Sequence, residues 1–161
     1  MSPIEIIPVV TGKERKRFIG ISRRIYRRDP CWVPPLASEM KELLDRSKHP
    51  FFKHSSADFF LARRDGRWVG RIAAILNNNH NRFHKENTAF FGFFESIDDG
   101  EVSSALLDHA ERWARDRGMK QLRGPMSFST NEICGLLVDG FDFPPSVMMA
   151  HNPDYYSGLI E

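Results

Sequence analysis

The run TAFFGFFESI (residues 88–97) leads through Asp98-Asp99 straight into GEVSSALLDHAERWARDRG, and this strand–turn–helix unit constrains the fold more than any other part of the chain. Four phenylalanines among five consecutive positions predict a strand packed into a core, not one lying on a surface. Gly92 interrupts the run, as a glycine does where a strand bulges or another backbone comes close. In the helix that follows, Val102, Leu106, Ala110, Trp113 and Arg117 fall along one face, with Leu107 and Ala114 widening it. Gly118 stands where a helix ends in a left-handed residue. A central strand feeding a long amphipathic helix needs further strands on either side.

The rest of the chain supplies them. Residues 4–10 predict a first strand near a sheet edge, because Pro8 cannot donate to a ladder. Thr11 is placed to cap a helix on which Phe18, Ile21 and Ile25 recur at helical spacing, ending before Asp29-Pro30. DPCWVPPL (29–36) predicts an extended linker, and residues 38–46 a short second helix. Residues 57–64 and 67–76 predict a hairpin turning at Asp65-Gly66, both of which tolerate positive φ. Residues 77–87 predict a polar loop holding His80 and His84. Beyond the long helix, residues 121–128 predict a strand kinked at Gly124-Pro125. The spacing of Ser129 and Glu132 predicts a helix through Cys134, Leu137 and Val138 to Gly140, and residues 146–150 a last short strand. Tyr155, Tyr156, Leu159 and Ile160 open another amphipathic element that the sequence does not complete, which suggests a fragment of something longer.

Composition narrows the function classes. The 161 residues are 41% apolar and 27% charged, as in one soluble domain. There is no apolar run long enough to span a bilayer and no basic, apolar leader at the start. Cys31 and Cys134 lack metal-type spacing and suggest reduced thiols in a cytoplasmic protein, Cys134 as a small core residue. His80 and His84 have no evident third ligand, so no metal is expected. Residues 12–28 carry eight Lys/Arg and one acid, whereas the remainder carries 15 basic and 20 acidic residues. Such a helix suits a solvated face, a phosphorylated ligand or an acidic partner; nucleic acid is the least favoured of its partners, and no membrane partner is expected. P-loop, dinucleotide and Ser-His-Asp signatures are absent.

The order strand, two helices, three strands, helix, strand, helix, strand resembles the GNAT superfamily of acyl-CoA-dependent N-acetyltransferases, an α+β fold with a mixed, mainly antiparallel sheet flanked by helices. GEVSSALLDHAERWARDRGMKQLRG (100–124) is similar to that superfamily's third helix and fifth strand. Several segments, DPCWVPPL, GRIAAILNNNH, FFGFFESIDD, RGPMSFSTNEICGLLVDGF and HNPDYY, resemble a bacterial branch of GNAT-like proteins about twice this length, mostly without assigned substrates. The resemblance covers nearly the whole chain. It implies a single GNAT-like domain over residues 1–161 that lacks a C-terminal half, with residues 151–161 beginning a truncated element. It also implies possible contact between this domain and that half.

The resemblance further implies acetyl-CoA or another acyl-CoA as co-substrate and a small-molecule or peptide amine as acceptor. The pantetheine arm would lie along the bulged strand at Phe93, Phe94, Ser96 and Ile97. The pyrophosphate would rest on the start of the next helix, at Gly100, Val102, Ser103 and Ser104, with Asn131 nearby. Glu95 is then the candidate base, and Tyr155 and Tyr156 the candidate acids. The superfamily's usual signature, Arg or Gln, then x-x-Gly-x-Gly or Ala, falls here on Asp98, Glu101 and Ser103. Carboxylates repel a pyrophosphate, but they favour a helix N-terminus that holds no ligand. Two readings stay open: a CoA-dependent acyltransferase, and a GNAT-fold module without cofactor that acts as a scaffold or partner-binding half.

Overall fold

The computed structural model describes residues 2–161. Its centre is a five-stranded sheet: β1 (Glu5–Pro8), β2 (Ser56–Arg64), β3 (Arg67–Leu76), β4 (Thr88–Ser96) and β5 (Gln121–Arg123). The strands lie in chain order, antiparallel except for the parallel β4–β5 pair. The α-helices are α1 (Gly12–Ile25), α2 (Ala37–Leu43), α3 (Asn78–His84), α4 (Gly100–Arg115) and α5 (Tyr156–Ile160), with a short 3-10 turn at Pro50–Lys53. α1 starts at a reciprocal cap, in which the Thr11 hydroxyl accepts from Glu14 N–H while the Glu14 carboxylate accepts from Thr11 N–H. The β2–β3 turn has positive φ at both Asp65 (50°) and Gly66 (72°), the geometry that matches strand twist in a tight hairpin.

Helices cover both faces of the sheet, so every residue of β4 is buried and its apolar run shows no alternation. α1 and α2 pack Phe18, Ile21 and Met40 against Phe59, Leu61, Ile75, Phe90 and Phe93 on one face. α4 and α5 pack Val102, Leu106, Trp113 and Tyr156 against Phe60, Ile72, Phe91 and Phe94 on the other. The bulge expected near Gly92 is one residue further on. Ala73 pairs with Gly92 but Arg71 with Glu95, so β4 holds one extra residue, and Phe93 takes a φ of 49°. The insertion reverses the side-chain alternation beyond it and turns Glu95 toward α1. Gly92 serves the close approach: a methyl there would run into the carbonyl of Met126.

The expected helix through residues 134–140 is absent. Ser129 and Glu132 do bond to each other, but the chain then folds back. Ser127 N–H donates to Ile133 O and Gly135 N–H to Pro125 O, and Gly135 and Gly140 have φ of 88° and 81°. Cys134 is consequently exposed, not a core residue. The expected strand at 146–150 is a turn with Met148 at φ 66°. Strand β5 stops at Arg123, well short of residue 128. The expected loop at 77–87 contains α3, capped by the Asn77 side chain, and none of its residues is buried. A helix with no buried face leaves no apolar period to read.

Candidate functional site

The β4–α4 turn is where an acyl-CoA pyrophosphate would need free backbone N–H groups. Here two of them, those of Glu101 and Val102, are taken by a side chain. Asp99 caps α4: its Oδ1 accepts from Glu101 N–H (3.0 Å) and Val102 N–H (3.3 Å), and its carbonyl accepts from Ser103 N–H (3.2 Å). Arg64, from the end of β2, clamps the turn through Asp99 Oδ2 (2.6 Å) and Glu101 Oε2 (2.7 Å). Burial pushes the Asp99 carboxyl up, but the Arg64 guanidinium and the two N–H donors outweigh it and hold its pKa below the ordinary value. Val102 and Ser103 are buried, the Ser103 hydroxyl donating to Gly100 O (3.0 Å), while Gly100 and Ser104 are exposed.

The free edge of β4 is filled as well. The last β4–β5 pair is Phe90–Arg123, followed by one further bond from Met126 N–H to Phe91 O (2.8 Å) and a contact of Phe93 N–H with Ser127 Oγ (3.3 Å). Beyond that point the neighbouring chain leaves the strand, and α5 enters. Ser96 N–H donates to the Tyr156 hydroxyl (2.9 Å), and the Tyr155 hydroxyl donates to Ser96 O (2.9 Å). Ile97 N–H donates to Val69 O (3.0 Å). Tyr156 packs on Phe94 on the α4 side, yet its hydroxyl meets Glu95, which the bulge has turned toward α1. The tyrosine therefore passes through the gap that the bulge and the short β5 leave open.

Glu95, Tyr155 and Tyr156, which the sequence singles out, are thus brought together. They form part of a closed polar core. Glu95 Oε2 accepts from Tyr156 (2.6 Å), and Oε1 accepts from Ser22 (3.1 Å) and Arg71 Nη2 (3.2 Å). Arg71 spends its other donors on Phe93 O (3.0 Å) and Phe18 O (2.6 Å), and its guanidinium lies 4.9 Å from the Phe18 ring. Ser22, Tyr26, Arg71, Glu95 and Tyr156 are all under 10% exposed. Burial first, and then the Glu95 charge, push the Tyr26 and Tyr156 hydroxyls far above their ordinary range; Tyr155 is pushed up to about 12 by burial and nearby acids. Both carboxylate oxygens of Glu95 are committed, so the cluster as folded braces four elements, α1, β3, β4 and α5, against one another.

Sequence reasoning missed Ser22, Tyr26 and Arg71, together with a hydrogen-bonded pair beside them. His151 Nε2 lies 2.7 Å from Asp29 Oδ2, and Tyr26 donates to His151 O (3.2 Å) while stacking on Trp32 (5.0 Å, 7°). Burial raises the Asp29 pKa, but the hydrogen bonds from His151 and Cys31 N–H more than offset it and leave it lowered. A signal existed: Arg71 opens GRIAAILNNNH after its glycine, and Asp29 and His151 begin DPCWVPPL and HNPDYY. Nothing in either segment alone says that they meet. Asn131 is exposed in the turn after Ser129, and among the described residues its side chain joins no part of this cluster. The described residues also contain no group of three metal-ligating side chains, and none of their helices is long and apolar enough to cross a membrane.

This topology, with a bulged fourth strand splaying from a parallel fifth, is the fold of the GNAT acyltransferases. A tandem GNAT protein from the clavulanic acid biosynthesis pathway superposes with a TM-score of 0.58 at 21% identity, over 74% of this chain and 35% of that one. No protein-family model matches. Among curated proteins, the bacterial ceramide synthase of Caulobacter vibrioides is 40% identical over 159 residues, 98% of this chain and 41% of that protein. Protein YghO of Escherichia coli is 38% identical over 146 residues, 91% of this chain and 37% of that one. The chain spans about two fifths of the length of these relatives.

Proposed function

We propose that this chain is the GNAT-fold part of a longer acyl-CoA-dependent N-acyltransferase whose acceptor is a long-chain amine, and that the acyl-CoA is held by residues outside this chain. The observation that carries the second half is the filling of the cradle by the chain's own side chains, at the α4 turn by Asp99, Glu101 and Arg64 and at the β4 edge by Tyr155 and Tyr156. Support for the first half is the 40% identity to a protein named ceramide synthase, since a ceramide is the amide of a long-chain amino alcohol. In that reaction the amine nitrogen attacks the thioester carbonyl, the C–S bond breaks, the amine loses a proton and the thiolate gains one. On this reading Glu95 and Tyr156 are positioning residues that hold α1 and α5 on β4. The exposed apolar side chains Ile133, Val138, Phe143 and Val147 to Met149 are the surface that meets the remainder of the protein.

The test is acylation by the longer protein. Incubated with palmitoyl-CoA and a long-chain amino alcohol, it is expected to yield the N-acyl product by mass spectrometry; release of free CoA without that product would overturn the acceptor assignment. A second reading, acyl-CoA bound at this turn after α5 swings away, is favoured by one observation: Arg64 Nε is buried with no partner. Under it, Tyr155→Phe combined with Tyr156→Phe would create or strengthen binding of acetyl-CoA by this chain. Under the first reading the double variant binds none.

A further inference from the structure

We propose that the cleft between the C-terminal half of α4 and the start of β2 binds an organic phosphate, that is, a phosphate monoester with an apolar body. The cleft has a volume of about 650 Å³, within the range of small-molecule sites of roughly 300–1,000 Å³. It is separate from the turn described above. Asp58 and Arg64 mark the two places on β2, six residues apart and therefore roughly 20 Å along the strand.

The charges in this cleft are unequal in what they are free to do. Asp58 is committed: it accepts from Trp113 Nε1 (2.7 Å) and pairs with Arg46 (2.6 Å) and Arg117 (3.2 Å), whose guanidinium lies 3.8 Å from the Trp113 ring centre. This network walls the cleft and neutralises its own acid. Arg15, from α1, and Arg112, from α4, also line it, and among the described residues neither forms an ion pair. Asp116 is the one remaining acid, so the lining carries four guanidiniums against two carboxylates.

The apolar lining is Val9 and Val10 with what Phe60 and Trp113 expose, while the Phe59 ring turns into the core on the α1 face. His109 sits edge-on to Phe60 at 4.3 Å, and burial, then Arg112, lower its pKa, so near neutral pH it is an uncharged ring with a nitrogen to offer. Arg15 and Arg112 come from helices on opposite faces of the sheet and both line this cleft, so an anion held in it is offered a fork of N–H donors from each side. A phosphate, with three terminal oxygens and up to two charges, accepts from both forks at once, where a carboxylate is matched by one. Val10, 75% exposed, gives the body of such an ester most of the apolar surface it can bury, because Phe60 and Trp113 are already under 10% exposed.

Titration calorimetry on this chain with hexyl phosphate, inorganic phosphate and hexan-1-ol tests the assignment. Hexyl phosphate is expected to bind at least about tenfold more tightly than either half-ligand, because charge and apolar burial are both needed. Replacing Arg15→Gln and Arg112→Gln together is expected to weaken it by at least about tenfold, with the denaturation midpoint lowered only slightly, because Arg15 has a long-range attraction to Asp45 and Arg112 a place in the last turn of α4 but neither makes a side-chain hydrogen bond among the described residues. No heat at about 10 mM hexyl phosphate, a level that would still detect a Kd in the millimolar range, overturns the proposal. So does equal affinity for inorganic phosphate, or an undiminished affinity in the double variant.

Discussion

Glu95→Gln separates a bracing role from a catalytic one by the sign of its effect on stability. In the folded chain the carboxylate is 7% exposed and receives three hydrogen bonds, from Ser22, Arg71 and Tyr156. The substitution keeps the shape and one oxygen but leaves Arg71, 6% exposed, without a counter-charge. Breaking a buried ion pair from one side costs about 3–5 kcal/mol. Arg71 keeps its bonds to two backbone carbonyls, which places the expected loss at the lower end, about 3 kcal/mol. For a domain of this size that is a fall in Tm of about 6–12 °C. Urea denaturation of the wild type, Glu95→Gln, Arg71→Met and the double variant measures both the loss and the coupling, expected at about 2 kcal/mol. A free catalytic base held against its own stability behaves in the opposite way, its removal being neutral or stabilising. A loss below about 1 kcal/mol, or additive single effects, refutes the bracing role.

Tyr156→Phe removes both an acceptor for Ser96 N–H and a donor to Glu95, and is expected to cost about 2–3 kcal/mol in urea denaturation, against about 1 for Tyr155→Phe. Gly92→Ala drives a methyl into the Met126 carbonyl, and is expected to cost about 1–3 kcal/mol by overpacking, read as a lowered denaturation midpoint. Acid sensitivity follows from Asp99, Asp58 and Asp29, whose folded pKa values are all lowered. Their contribution is present above the unfolded carboxyl pKa and is lost as pH falls through the lower folded values. Stability is therefore expected to drop as pH is taken below about 4, and Asp99→Asn to make that drop shallower; an unchanged pH profile counts against the Arg64–Asp99 clamp.

The parts of the fold legible in the sequence are those with a local cause. The Thr11 cap, the Asp65-Gly66 turn, the apolar stripe of α4 and the glycine beside the bulge each announce themselves within a few residues. The candidate site was legible only in part. Glu95 and the two tyrosines stand out as polar groups set in apolar or aromatic runs, but nothing local marks Ser22 and Arg71, whose burial comes from tertiary partners. Asp29 and His151 are 122 positions apart, and no periodicity connects them. Residues 128–150 misled because the Ser129–Glu132 spacing fits a helix start, whereas the local bonds to residues 125–127 and the positive φ at Gly135 and Gly140 decide for a folded-back loop.

The occupied cradle is tested most directly by titrating acetyl-CoA and palmitoyl-CoA into this chain in a calorimeter, with the longer protein alongside. This chain is expected to give no saturable heat with acetyl-CoA at concentrations up to about 1 mM, while the longer protein binds. Saturable, stoichiometric binding of acetyl-CoA by residues 1–161 alone, abolished by crowding the turn with Gly100→Trp, would contradict it.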